Sequence, residues 1–328
     1  MNKELKMMSE VISAANKVEK RCLYTDARGV RCKNKAILSH SIQRRGPLRS
    51  IEDKGHVLKI GEELQVRHPS KSQETKRIGL KNASTFPGFC SNHDSKIFEK
   101  IENSDGDIDK ESAFLICLRA NCLELYKKKK SKIIYRELSK RILHEQGRKS
   151  AIAALRGTMA GISDLERNIA SYFKAYHSSK MENFFFFSLE FKAPLPVAIC
   201  GAYSPYYSPF GSFSYKMDPL KTSWNSLGLF LGNLQGRPVF ITGGIRKYYA
   251  HDIEKTLDDF NTLNSEEAGN VAVRLSFENI ENAYANEPWY NSLSDFKRQE
   301  IIRLSRINRA SDLDYEDHRG KYNIIDFD

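Results

Sequence analysis

Three cysteines and one histidine, Cys22, Cys32, Cys90 and His93, constrain this chain more than any other feature. Thiolate and imidazole are the donors zinc prefers, and a set of three sulfurs and one nitrogen closes a tetrahedron of the structural type. The first pair flanks Asp26-Ala27-Arg28-Gly29-Val30, which reads as a hairpin tip with Gly29 in the turn. The second pair, Cys90-x-x-His93, follows Pro87-Gly88 and opens a helix predicted over 94–101. Six cysteines in 328 residues also fit buried thiols acting as small hydrophobes. Cys22 and Cys32, however, sit among arginine, lysine, aspartate and asparagine rather than in an apolar run, so the metal reading leads.

A hairpin knuckle closed by two ligands at a helix start is the treble-clef arrangement, a ββα module. The charge supports a partner for it. Residues 1–90 hold 19 lysines and arginines against 9 aspartates and glutamates, and residues 91–180 hold 18 against 12. Residues 181–328 reverse the sign, with 15 against 20. A basic excess on residues 1–180 fits a surface that meets nucleic-acid phosphates, and it also fits a solvated, soluble face. Residues 1–21 are charged and lack the apolar core of a secretory signal. No run of 18 apolar residues exists. The expectation is a cytoplasmic protein with reduced cysteines and no membrane partner.

The pattern along the chain predicts an α+β protein in three parts. Residues 1–101 are the zinc-supported module, with an amphipathic helix over 1–20, strands at 36–42 and 56–60, and a polar loop over 61–79. Residues 102–180 are an acidic linker and a helical connector. Asp105, Asp107 and Asp109 alternate as in a calcium loop, but the glycine and terminal glutamate of such a loop are missing. Cys117 and Cys122 fall on different helix faces, which disfavours a shared metal. Lys127 to Lys130 read as a solvated helix face.

Residues 181–328 are an α+β domain on a mainly antiparallel sheet. Its strands are predicted at 184–191, 196–203, 228–234, 237–242 and 271–277. Helices are expected over 247–263 and 288–306, with a charged tail after residue 310. Such a domain suits a protein or small-ligand partner, and an oligomer is compatible with it.

With the ligands laid out, residues 22–98 resemble the His-Me finger nucleases, the HNH-like group. Those proteins fold as a β-hairpin and helix, often propped by structural zinc, with a catalytic histidine at the end of the first strand. The resemblance covers about a quarter of the chain. It places His40, in Ile37-Leu38-Ser39-His40, at that catalytic position. It places Asp94, directly after His93, where members carry a metal-binding histidine, and Asn82 where they carry a loop asparagine. Ser39 stands where the family has an acidic residue or histidine.

The resemblance therefore implies structural Zn2+, a catalytic Mg2+ or Mn2+, and hydrolysis of DNA or RNA phosphodiesters, in a setting such as bacterial defence against phage. Imidazole as proton acceptor and carboxylate as cation ligand suit that reaction. His40 has two further readings, as a zinc ligand and as a hydrogen-bonding strand residue. His56 and His68 are secondary candidates for the same cation. The alternative function is a zinc-stabilised module that binds nucleic acid or regulates without catalysis. Elsewhere Gly243-Gly244 reads as a turn before a helix, with an anion site as the lesser reading. Trp224, Trp289, Tyr206 and Tyr207 read as core or surface aromatics before stacking platforms. No phosphate-binding glycine loop, dinucleotide fingerprint or nucleophile elbow occurs.

Overall fold

The computed structural model describes residues 3–61, 74–103, 108–205, 225–246, 251–307 and 317–326. His68, Tyr206, Tyr207, Trp224, Asp105 and Asp107 lie outside the described residues. In chain order the elements are α1 (Lys3–Ala15), β1 (Leu38–His40), α2 (Pro47–Ser50), β2 (His56–Ile60), β3 (Thr75–Gly79), β4 (Thr85–Pro87), α3 (Ser91–Asn103), α4 (Lys110–Arg141) and α5 (Glu145–Ser178). There follow β5 (Phe184–Glu190), β6 (Val197–Tyr203), β7 (Leu227–Leu234), β8 (Arg237–Ile245), α6 (His251–Asn261), α7 (Ser265–Asn279), β9 (Ala283–Ala285), α8 (Glu287–Ser292) and α9 (Asp295–Ile307). The expected α+β class and antiparallel sheet are present.

Seven strands form one antiparallel sheet in the order β3-β2-β9-β6-β7-β8-β5. Alternation along the strands gives the sheet two apolar faces. Phe184, Ala198, Cys200, Phe230 and Ile241 join one core, while Val197, Ile199, Leu229, Leu231 and Phe240 join the other. The first core is covered by α4 and the second by α6, α7 and α9. The central strands β6 and β7 are buried along their whole length. The sheet draws β2 and β3 from within 1–101 and the remaining strands from beyond residue 183.

Helix α4 is the axis of the first core. Every residue from Ser112 to Leu123 is buried, because the sheet lies on one side and α3 and α5 on others. At Gly228 a Cβ would come within 2.5 Å of the Cys117 Cα, so only glycine admits the helix backbone so close to β7. Gly228 pairs with Gly243 on β8, which extends the same seat. Among the described residues no helix is long and apolar enough to cross a membrane.

Several local expectations need correction. Residues 271–277 are buried helix within α7, not strand, because Asn264 caps the helix by accepting from the Glu267 N–H at 2.9 Å. Gly243-Gly244 continues β8 and opens no helix. Thr75–Gly79, expected as loop, pairs with β2 at the sheet edge, where charged residues are tolerated. The single helix over 288–306 is two, α8 and α9, separated at Leu293-Ser294. Strands β7 and β8 form a hairpin, with Gln235 and Gly236 at φ 53° and 79°.

Candidate functional site

Residues 21–35 form the knuckle. Arg21 bridges Lys35 and Thr25 bridges Arg31, both antiparallel. The Asp26 carboxylate accepts from the Arg28 and Val30 N–H groups at 2.9 Å each, and Gly29 takes φ 81°. The Leu23 N–H donates to Gly88 O and the Ile37 N–H to Phe89 O, which fastens the knuckle to the segment leading into Cys90. Strands β1 and β4 pair antiparallel, with His40 opposite Thr85. Helix α3 then begins at once, its first backbone bond running from the Asp94 N–H to Cys90 O.

This arrangement brings Cys22, Cys32, Cys90 and His93 together, with all four ligand atoms within 4.8 Å of one another. The His93 Nδ1 lies 3.5 Å from Cys22 Sγ and 3.3 Å from Cys90 Sγ. A tetrahedral zinc with ordinary bond lengths separates sulfur and nitrogen by about 3.6 Å, so the four side chains can hold a metal such as zinc. Two donors from Asn34 support the sulfurs, its N–H at 3.4 Å from Cys32 Sγ and its Nδ2 at 3.9 Å from Cys90 Sγ. Burial pushes the Cys22 thiol up to about 12, so a cation at this site supplies the charge that its ionisation requires. Burial also raises the Cys90 thiol, but hydrogen bonds from the His93 backbone, Cys22 and Asn34 outweigh it and leave Cys90 below the ordinary range.

The sequence reading missed what closes this centre. The Tyr24 ring stacks on His93 with centroids 3.7 Å apart. Phe173 and His177, from the last turns of α5, meet Tyr24 edge-on at 5.5 and 5.6 Å. His177 Nε2 donates to Thr25 O at 2.7 Å. The only hint in the sequence was the aromatic stripe of α5 running on to His177, which reads equally well as plain core.

His40 is half-buried, and its Nε2 donates to Leu80 O at 3.2 Å. Burial lowers its pKa and outweighs the Leu80 bond; Arg44 and Arg119 lower it further, while Asp94 opposes them. The ring is therefore neutral near pH 7, and Nδ1 makes no hydrogen bond within the described protein. Asp94 turns from the metal cluster toward Arg119, whose guanidinium stands 3.9 Å from Oδ1. Oδ1 and the Ser39 hydroxyl are both buried without a hydrogen-bond partner. Burial raises the Asp94 carboxyl, against Arg119 and the nearby Ser39 hydroxyl, which favour the charged form although the hydroxyl is not aligned for a good hydrogen bond. Arg119 is itself 2% exposed, bonded to Glu102 at 2.7 Å and laid over the Phe98 ring at 3.8 Å.

Asn82 lies exposed in the turn after β3 and is engaged through its backbone, its N–H donating to Gly79 O at 2.9 Å and its carbonyl accepting from the Thr85 hydroxyl at 3.2 Å. The residue that contacts His40 is Leu80. His56 is turned away, its Nδ1 donating to Lys54 O at 2.8 Å. Among the described residues, the Cys22-Cys32-Cys90-His93 set is the one group of three or more such side chains placed to share a cation. Comparisons with family models, with curated proteins and with solved structures find no match to this chain.

Proposed function

We propose that residues 1–101 are a zinc-supported treble clef of the His-Me finger kind, and that the protein is a nuclease hydrolysing DNA or RNA phosphodiesters with His40 as general base. One observation carries this reading. The Leu80 carbonyl holds the Nε2 proton of His40, which leaves Nδ1 as a lone-pair acceptor on a ring kept neutral. The order β1, β4, α3 supports it, with His40 ending the first strand and Asp94 in the first helical turn. Nδ1 takes a proton from water as the water oxygen attacks phosphorus, the P–O bond to the leaving sugar oxygen breaks, and that oxygen departs as an alcohol on taking a proton from solvent. Arg44 and Arg45, exposed just beyond β1, hold the phosphate.

Asp94 Oδ1 is a buried acceptor without a hydrogen-bond donor, which suits it to anchor magnesium or manganese. Such an ion would neutralise charge developing on the phosphate oxygens. Arg119, 3.9 Å from Oδ1, favours the ionised carboxyl and opposes the burial that raises its pKa. A role in bacterial defence, with residues 181–328 recognising a protein or small ligand, follows from the resemblance.

A second reading is a zinc-stabilised nucleic-acid-binding or regulatory protein without catalysis. It is favoured by the charge of Asp94 already meeting Arg119, and by the lack of a third donor beside His40 and Asp94 among the described residues. The deciding experiment measures metal content and cleavage of plasmid and total RNA, with magnesium or manganese, for the wild type beside His40→Ala. Cleavage by the wild type, lost by about 10²–10⁴-fold in the variant at unchanged zinc content, is expected. Equal cleavage by both proteins, or none by the wild type, rules out His40 as the base.

A further inference from the structure

We propose that the distal half of the α4–α5 hairpin docks duplex nucleic acid through its phosphates. The proposal rests on the nucleic-acid reading above, but not on cleavage. Residues 127–163 contain 11 lysines and arginines and only 2 acids. Helix α4 is about 48 Å long, and beyond Leu125 its one fully buried residue is Ile134. This half therefore projects from the sheet as an arm. One side of it is covered by α1, through Val11, Ala15 and the Arg141–Glu10 ion pair at 2.6 Å. Another side meets α5, where Lys128 lies against Gly161.

The remaining side carries Lys129, Lys132, Arg136 and Lys140, at intervals of three, four and four residues, which is one helical row about 16 Å long. Two acids touch this row. Glu166 pairs with Lys129 at 2.8 Å, and Glu137 is shared between Lys140 at 3.6 Å and Arg136 at 3.9 Å. Positive charge is left over, on side chains that are 52% exposed at Arg136 and 63% at Lys140.

The partner follows from what the row offers and what it lacks. Cations at one-turn spacing fit the phosphates of a duplex. A single strand calls for aromatic platforms, and Tyr135 is the one phenylalanine, tyrosine or tryptophan in 127–163. A membrane calls for a continuous apolar face, and the exposed Leu143 and Met159 stand singly.

The test uses the full chain and fluorescence anisotropy of a random-sequence DNA duplex across a salt series. The Lys132→Gln, Arg136→Gln, Lys140→Gln variant should reduce the log–log salt slope by about 2–3 and weaken binding by about tenfold or more near 0.1 M salt. Lys33→Gln with Lys35→Gln, exposed on the knuckle, should change binding by less than about threefold. Arg148→Gln with Arg156→Gln, exposed on α5, tests the same arm if the α4 variant fails to fold. Wild-type binding by the arm variants, equal loss from the knuckle pair, or binding to phosphatidylglycerol vesicles but not to duplex each overturns the proposal. Arm-dependent binding in a protein that cleaves nothing upholds it while the nuclease reading fails.

Discussion

His93 and Asp94 are neighbours in the first turn of α3, yet they serve surroundings of opposite kind. His93 faces three sulfurs from two separate segments, and its ligand atom already stands at metal-binding range of two of them. Asp94 faces a single buried cation from α4, and its Oδ1 is without a hydrogen-bond donor. One site is shaped by donors that converge on a point. The other is a mostly buried carboxylate beside a half-buried imidazole. The donors beside His93 converge on one point while Asp94 meets a single guanidinium, and one helical turn fixes their separation.

The harshest way to break this contrast is Cys90→Ser. Metal ligation is folding energy in a small module, so metal loss and destabilisation by about 5 kcal/mol or more are expected, read by elemental analysis and thermal melting. A full zinc complement in that variant would remove Cys90 from the ligand set. Next comes Arg119→Met, which should cost about 3 kcal/mol because it strands the mostly buried carboxylate of Asp94, while the exposed Glu102 is solvated by water. Metal content should survive, since Arg119 touches none of the four ligands. Simultaneous loss of zinc would show that the two sites are one.

Tyr24→Ala sharpens the comparison from the metal side. Removing the ring stacked on His93 should cost about 1–2 kcal/mol and speed zinc release to a chelator, with duplex binding unchanged. An unchanged release rate would mean that the α5 lid does not guard the centre. The smallest effect concerns pH. The folded pKa of His40 is lowered, so the unfolded chain takes up its proton first as pH falls. Stability from this group is therefore complete above the ordinary histidine value of about 6.5 and declines below it. Cleavage should hold through that value and fall only at lower pH. An acid limb at or above about 6.5 would contradict the burial of the ring.

The Cys22-Cys32-Cys90-His93 cluster was legible because donor chemistry is written in residue identity, and cysteines among charged neighbours have few other uses. The knuckle tip was legible for the same kind of reason, since Asp26 and Gly29 each have a specific turn role. Helix α7 was misread because it is buried nearly all round. Its Val271-Ala272-Val273 run has no polar face to mark a helical period, and β-branched residues pulled the reading toward strand. The capping pair Asn264 and Glu267 was there to correct it. β9 was invisible because Ala283-Tyr284-Ala285 is too short to show alternation, and its strand character comes from β2 and β6 on either side. Arg119 was passed over because nothing local tells a buried arginine from a solvated one. The packing of α3 on α4 decides it.

The pairing of β2 with β9 has a consequence for the order in which the protein becomes competent. Asn282 bonds the hydroxyls of Ser41 and Ser84, and Tyr284 accepts from the Ser84 N–H, so the residue directly after His40 is set by residues more than two hundred positions downstream. On the ribosome the four metal ligands emerge early and can close the knuckle. The segment around His40 must wait for residues 282–285, roughly 10–40 s later at ordinary synthesis rates. The nascent chain should therefore be able to hold metal well before the segment around His40 is fixed. Arrested chains ending near residue 270 offer the check, and they should retain metal yet leave the 38–87 segment open to protease.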